Sequence, residues 1–329
     1  MDWGNRKDIL VFLEQKDGKA LNGALECLTP ARALAQHTGG QVLAVLMGTD
    51  NAGAAEKVAP LADGVLAVTG GDYSDGAADA FTWALEQLAA QYEPAAVLAG
   101  NTPLGREMTA RLCARLGLGS VQDATALTWD GDTPVWTVPL YGGTVLNDVV
   151  VDTLPVVATT RSGAFAKPEA GQAGPVTPVE LQVPADAVKV KVAQAVKELS
   201  EAVNLEEAKV IVTGGRGMGS KEQFALVEEL AALLGGVVGA TRPAIEDGWV
   251  SRAHQVGQSG KIVAPALYIA CGVSGATQHV SGMSGSGYVV AINKDEDAPI
   301  FDVADVGIVG DVAKVLPLMI EEIRQRKAE

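Results

Sequence analysis

Two short stretches hold the side chains best suited to chemistry. They are Gln255-Val256-Gly257-Gln258-Ser259-Gly260-Lys261 and Ser274-Gly275-Ala276-Thr277-Gln278-His279. Between Lys261 and Lys294 there is no Asp, Glu, Lys or Arg, yet the segment is not a plain apolar run. The β-like strings Ala266–Ala270 and Tyr288–Ile292 each lead into Gly, Ser, Gln, His or Asn. Strand ends that deliver small and amide-bearing residues suit a flat, polar ligand gripped largely by backbone N–H groups. A third stretch, Gly214-Gly215-Arg216-Gly217-Met218-Gly219, follows an apolar string and opens a helical pattern. Its glycines are spaced G-G-x-G-x-G rather than G-x-G-x-x-G, and no acidic residue ends the next strand to hold a ribose, which argues against an ordinary NAD-type site. Gly260-Lys261 lacks a glycine five positions before Gly260, so it is no phosphate-binding P-loop. On spacing alone, a structural turn and a nucleotide site at Gly214–Gly219 stay equally open.

The elements that must carry these stretches read as two β-α series. In the first, strands at Ile9–Leu13, Gln41–Leu46, Val65–Val68 and Ala95–Leu98 alternate with helical patterns at Ala24–Gln36, Ala54–Ala62, Asp75–Tyr92 and Leu104–Leu116. Gly39-Gly40 closes the first helix, and Thr102 before Pro103 forms an N-cap followed by proline at the first helical position. Such alternation implies a parallel sheet covered by helices on both faces. After Gly117 the pattern changes to strands without helices, at Val121–Trp129, Val135–Val138, Thr144–Val151 and Val156–Thr160, expected as antiparallel additions to the same sheet. Ser162–Pro184, rich in Ala, Gly and Pro, reads as a surface connection with little regular structure, and Val188–Val192 as one more strand. The second series runs from Val210–Val212 through a helix at Glu222–Leu234, short strands at Gly236–Gly239, Leu267, Val289 and Ile308, and a last helix at Asp311–Arg326. The expected architecture is α/β with two domains, 1–197 and 198–329.

The chain of 329 residues is 48% apolar and 20% charged, ordinary for a folded protein with room for two cores. A formal net charge of −15 without basic clusters sets nucleic acid aside as a partner. Cys27, Cys113 and Cys271 are odd in number, widely spaced and set in apolar sequence, which reads as buried free thiols and gives no metal spacing. The first eight residues carry neither a signal-peptide nor a transit-peptide pattern, and the expected location is cytoplasmic.

The two motifs, with Ala291-Ile292-Asn293-Lys294-Asp295 and Ala298-Pro299-Ile300-Phe301, resemble the α subunit of electron transfer flavoproteins. The first series resembles it more loosely through Asn101–Arg106 and Arg161–Phe165. The resemblance implies two Rossmann-like α/β domains, the first contacting a β subunit without a cofactor of its own and the second holding FAD. It places Arg216 in the glycine turn beside the cofactor. Thr241-Arg242 stands where the family has Ser-Arg. Gln255, Val256, Gly257, Gln258 and Ser259 match its Gln-Val-Gly-Gln-Thr, and Ser274, Gly275, Ala276, Thr277, Gln278 and His279 match its Ser-Gly-Ala-x-Gln-His. Asn293 and Asp311 match positions that reach the adenosine half; Asp311 also fits a plain helix N-cap. The backbone around Gly257 and Gly275 would cradle the pyrophosphate. Arg242 over the flavin would favour an anionic semiquinone, Ser259 would hydrogen-bond N5, and His279 would place a donor at the N1–C2 edge. No residue is expected to make or break bonds.

The resemblance further implies a heterodimer whose β subunit carries AMP or a second FAD. Electrons would pass singly from dehydrogenases, such as the acyl-CoA dehydrogenases of fatty acid β-oxidation, to a quinone-linked oxidoreductase. The second domain is expected to swing on linkers near Ser162–Pro184 and Glu201–Glu207. A bifurcating variant using NADH and a non-redox nucleotide-binding module remain as alternatives. His254 is expected at the surface or an interface, and His37 as helix-end filler.

Overall fold

The computed structural model describes residues 1–73, 78–190 and 204–328. The chain divides into two compact units, Met1–Leu140 with Val145–Val196, and Tyr141–Thr144 with Lys197–Glu329. The expected domain boundary at 197/198 and the proposed linker residues 201–203 lie outside the described residues.

In the first unit, strands β1 (Ile9–Phe12), a small hairpin of β2 (Gln15–Lys16) and β3 (Lys19–Ala20), β4 (Val42–Met47), β5 (Gly64–Thr69) and β6 (Ala96–Gly100) come first. Helices α1 (Asn22–Glu26), α2 (Leu28–Thr38), α3 (Ala52–Val58), α4 (Ala78–Tyr92) and α5 (Pro103–Leu116) connect them. Then come β7 (Ser120–Ala124), β8 (Ala126–Asp130), β9 (Thr133–Leu140), β10 (Val145–Val149), β11 (Val156–Thr160) and β12 (Val176–Glu180). The main sheet has the order β12-β5-β4-β1-β6-β11-β7, every pairing parallel. Its centre is apolar on both faces: Ile9 and Val11 enter one core cluster, Leu10 and Phe12 the other. Thr102 caps α5 as expected, accepting from Gly105 N–H at 3.0 Å, and Gly39 ends α2 in the left-handed region.

Five expectations change. The helix expected at Ala24–Gln36 is two helices meeting at Cys27. The strand expected at Val121–Trp129 splits at Thr125, and its halves enter different sheets. β7 and β11 join the main sheet in parallel, while β8, β9 and β10 form a separate antiparallel sheet of their own. The split follows Asp123, whose φ of 66° turns the chain out of the extended region. Within the supposed connection Ser162–Pro184, β12 pairs with β5 from Val176↔Val65 to Glu180↔Thr69. Pro178 is tolerated there because β12 is an edge strand. Residues 188–190 are not a strand, and 191–192 lie outside the described residues.

The second unit is a five-stranded parallel sheet in the order β14-β13-β15-β16-β17. Its strands are β13 (Val210–Gly214), β14 (Val237–Ala240), β15 (Leu267–Cys271), β16 (Val289–Asn293) and β17 (Val306–Val309). The helices are α6 (Lys221–Leu234), the short α7 (Arg242–Glu246) and α8 (Thr277–Val280), and α9 (Val312–Ala328). Side chains alternate across the sheet. Val212 and Ile269 pack with Phe224, Leu230 and Leu316 of α6 and α9, whereas Ile211 and Tyr268 pack with Val256, Met283 and Ile300. One face is thus covered by long helices and the other by irregular chain that carries the motifs. No helix among the described residues is long and apolar enough to cross a membrane.

One polar contact secures the end of the first unit. Asp79 at the start of α4 is buried, accepts the Lys189 and Val190 N–H groups at 2.7 and 2.9 Å, and pairs with Arg111. Replacing Asp79 with Ala leaves two backbone donors and a guanidinium without their acceptor and should cost about 2–4 kcal/mol of stability. Urea unfolding of the full chain measures it; a loss below about 0.5 kcal/mol would show that water replaces the carboxylate freely.

Candidate cofactor site

β13 is the first strand of its sheet. The chain moves from it to β14 on one side, then returns to β15 on the other. The switch point of an open parallel sheet therefore lies between the carboxyl ends of β13 and β15, where such sheets bind ligands. All sixteen expected site residues lie at or beyond a strand's carboxyl end. Arg216 follows β13, Thr241 and Arg242 follow β14, and Gln255–Ser259 lie on the same excursion. Ser274–His279 follow β15, Asn293 ends β16 and Asp311 follows β17.

The loops after β13 and β15 are laced backbone to backbone. Gly215 and Gly217 donate to the Cys271 and Gly272 carbonyls, both at 2.9 Å. A Cβ at Gly215 or Gly217 would stand 2.3 or 2.6 Å from the Gly272 oxygen, so the glycines serve close approach. The second motif is pinned from three sides. Asn293 donates its amide to the Val273 carbonyl at 2.8 Å, Ile300 N–H reaches the Ser274 carbonyl at 3.1 Å, and Gln258 N–H reaches the Gln278 carbonyl at 2.7 Å. Gly275 has a φ of 85°, and a Cβ there would lie 2.1 Å from Ile300 N.

His279 is buried between two partners. Its Nδ1 lies 3.1 Å from the Val256 carbonyl and its Nε2 lies 2.9 Å from the Tyr268 hydroxyl. A carbonyl only accepts, so Nδ1 carries the hydrogen and Nε2 accepts from Tyr268. The one N–H of this tautomer is spent on Val256, and the donor expected at the flavin N1–C2 edge is not available from it. Asn293 is likewise engaged at both ends, its oxygen accepting from Asp295 N–H at 3.0 Å. Asp311 caps α9, accepting from Ala313 N–H at 3.0 Å with one oxygen. Gln255 is buried and donates to the Ser259 hydroxyl at 2.9 Å. Arg242 is 68% exposed and pairs with Glu246 at 2.8 Å. His254 is half-buried against the Val238 carbonyl at 2.8 Å. His37, expected as filler, stacks on Trp129 with ring centroids 3.9 Å apart.

Against these spent groups stands a set without partners in the protein. From Ser274 to Gln278 no backbone N–H finds an acceptor among the described residues. Thr241 occupies the N-cap position of α7, yet its hydroxyl caps nothing and is buried without a partner. The Ser259 O–H and the exposed Arg216 guanidinium have no acceptor among the described residues. A run of N–H groups without protein acceptors suits a pyrophosphate, and the buried Thr241 hydroxyl suits the edge of a flat polar ring. The residues present fit a dinucleotide of this kind.

Comparison with known proteins decides its identity. Residues 204–284 match the family profile described as Electron transfer flavoprotein FAD-binding domain, and residues 9–187 match that of the Electron transfer flavoprotein domain. The electron transfer flavoprotein subunit alpha of Thermoanaerobacterium thermosaccharolyticum is 42% identical over 98% of this chain and 99% of its own. That of Bacillus subtilis is 37% identical over 97% and 98%. A relative from Anaerotignum propionicum, named acryloyl-CoA reductase electron transfer subunit beta, is 34% identical over 99% and 98%. The chain belongs to the electron transfer flavoprotein α-subunit family. Its cofactor is FAD, and the second unit carries the family's FAD-binding domain.

The unpaired hydroxyl gives a test of fit. Thr241→Val removes a buried polar group that has no partner in the free chain, so the apoprotein should be unchanged or about 1 kcal/mol more stable. FAD should bind about tenfold more weakly, read by quenching of flavin fluorescence on titration with apoprotein. Unaltered affinity would remove Thr241 from the site.

Acid should weaken the fold through His279. Burial lowers its pKa from 6.5 to about 4, against the raising effect of the Val256 hydrogen bond. Between those values the unfolded chain binds the extra proton, so stability is lost as pH falls from about 6.5 to about 4. Urea unfolding at pH 7 and pH 5 should show wild type losing about 2 kcal/mol more than His279→Gln. Equal losses would mean that the ring titrates normally in the fold.

Proposed function

We propose that the chain works as the α subunit of a heterodimer, holding FAD across the carboxyl ends of β13 and β15 and carrying electrons between other proteins. The observation that carries this reading is the set of unspent donors gathered at the switch point, in a chain of the FAD-binding family. The N–H groups of Ser274 to Gln278, with Gly275 allowing close approach, bind the pyrophosphate, and Arg216 neutralises its charge. Gln255, Val256, Gly257 and Gln258 form the turn that presents Ser259. The oxygen of Ser259 is occupied by Gln255, so its O–H is directed to an acceptor such as flavin N5. Thr241 offers its buried hydroxyl to the ring. His279 and Asn293 act from behind, holding the turns on which the contacts are made, and Asp311 keeps one carboxylate oxygen for the adenosine half.

FAD, when bound, supplies the redox chemistry. Arg242 supplies a cation near it. Its ion pair with Glu246 is exposed, and such a pair contributes only a few tenths of a kcal/mol, so it releases the guanidinium at little cost. A cation kept close to the ring in a water-poor site favours whichever form carries added negative charge. The chain contributes binding, orientation and electrostatics.

The partner is a β subunit bearing AMP or a second FAD. Relatives named as α subunits support this reading, as do apolar side chains on the β9–β10 hairpin: Leu140, Val145 and Leu146 are exposed there, beside Val150. Such a patch is what a protein partner covers. The donors are dehydrogenases of the acyl-CoA class and the acceptor a quinone-linked oxidoreductase. The name of the Anaerotignum propionicum relative ties a member of the family to acyl-CoA redox chemistry, there with the acyl-CoA compound as the species reduced.

Co-production with a β subunit of the same family, followed by a flavin count, tests the reading. One FAD per α chain should be found, bleached when an acyl-CoA dehydrogenase and its substrate are added. A second FAD reduced by NADH would replace the single-flavin reading with a bifurcating one. A pair that takes up no FAD would overturn the site.

A further inference from the structure

Two motifs at the carboxyl edge of the first sheet have no part in the cofactor site: Asn101–Arg106 after β6 and Arg161–Phe165 after β11. They meet at an irregularity in β7. Between the pairs Val121↔Ala158 and Ala124↔Thr160, Gln122 and Asp123 face the single Thr159 of β11, the two-against-one count of a β-bulge. Asp123 stands there with a φ of 66°, which glycine takes freely and a residue with a Cβ holds only with local help. Three side chains supply that help. Thr159 Oγ1 accepts the Asp123 N–H at 3.0 Å and lies 3.1 Å from Asn101 Oδ1. Asn101 Nδ2 donates to Asp123 Oδ1 at 2.6 Å. Arg161 holds both carboxylate oxygens, its Nε donating to Oδ1 at 3.1 Å and its Nη2 to Oδ2. Two-pronged pairing of this kind fixes the orientation of the carboxylate.

A bulge bends and twists its strand, so its shape sets the direction in which the chain leaves β7. The strand that follows is β8, which pairs with β9, which pairs in turn with β10. Leu140, Val145 and Leu146, the exposed apolar residues assigned above to the β subunit, lie on the last two strands of this ladder. We infer that Arg161 is a positioning residue for the β subunit: by clamping Asp123 in the left-handed bulge, it aims the β8–β10 sheet so that a partner can cover its apolar hairpin. The inference rests on the reading of that hairpin as the β-subunit surface. It gives the Arg161 motif a part in assembly that requires no contact between Arg161 and the partner.

Arg161→Gln removes the clamp, and calorimetric titration of the full-length chain with a β subunit of the same family reads the result. Affinity should fall about tenfold, as when about a tenth of the free chains keep the sheet aimed, with the circular dichroism of wild type retained. Adding Asp123→Gly should restore affinity to within about threefold of wild type, since glycine holds a φ of 66° unaided. Wild-type affinity in Arg161→Gln would overturn the inference. So would a double variant as weak as the single one, the result for an Arg161 that touches the β subunit directly. Leu146→Glu in the same titration checks the underlying reading: wild-type affinity there would show that the β subunit binds elsewhere. Should Arg161→Gln fail to fold, Asp123→Ala and Asp123→Gly take its place. Both lose the carboxylate, but only alanine opposes the left-handed turn, so the glycine variant should bind about fivefold more tightly. Equal affinities would overturn the inference.

Discussion

The second unit depends on two loops packing closer than any side chain permits. The glycine turn after β13 and the loop after β15 share two N–H···O bonds of 2.9 Å, and their backbones leave no room for a methyl group. Adjacent parallel strands bring the loops near one another but do not make them touch. Contact requires that Gly215, Gly217 and Gly272 all lack a Cβ. Once it forms, the Gly215 and Gly217 N–H groups of the β13 turn are consumed by the β15 loop. Those of the next segment, Ser274 to Gln278, are left pointing at no protein acceptor. The glycines thus decide which part of the crevice is structural and which is open to an anion.

That outcome bears on how the G-G-x-G-x-G spacing is read. In the dinucleotide fingerprint the glycines after the first strand bring the backbone to the pyrophosphate. Here Gly214 lies against Phe224 and Gly215 and Gly217 against Gly272. The same residue type serves packing in the first loop, while the unspent N–H groups come from the second. A turn and a nucleotide site were equally open from spacing; the first loop is a packing turn, and the proposed function puts the pyrophosphate on the second.

Much of this was legible in the sequence. The two α/β series, the Thr102 cap, the glycine-closed α2 and the strands flanking the uncharged segment all follow from local pattern, because each is set by residues within a turn or a strand. What was not legible depended on partners far away in the chain. β12 has a proline and exposed side chains, and becomes a strand only because β5 offers it an edge. Strands β7 to β11 follow one another without helices, and which sheet receives each is settled by the turn at Asp123, whose positive φ local pattern does not announce. Tyr268 reads as one more apolar strand residue, since nothing in Leu267-Tyr268-Ile269 indicates that its hydroxyl will meet a histidine eleven positions on.

The site divides by bookkeeping of hydrogen bonds rather than by residue type. Asn293 and His279 have the chemistry of ligand contacts, but both ends of each side chain are already engaged within the protein. Thr241 is no more polar, yet its buried hydroxyl has no partner, and the Ser259 O–H and the Ser274–Gln278 N–H groups are left without a protein acceptor among the described residues. A buried polar group without a partner costs the free chain stability, and a ligand that supplies the partner recovers that cost on binding. Satisfied residues gain nothing of the kind; their contribution is to hold the others still, which reduces the ordering entropy that binding must overcome. Both classes sit side by side in the same motifs, so identity alone cannot sort them. The distinction appears only when every donor and acceptor of the folded site is accounted for.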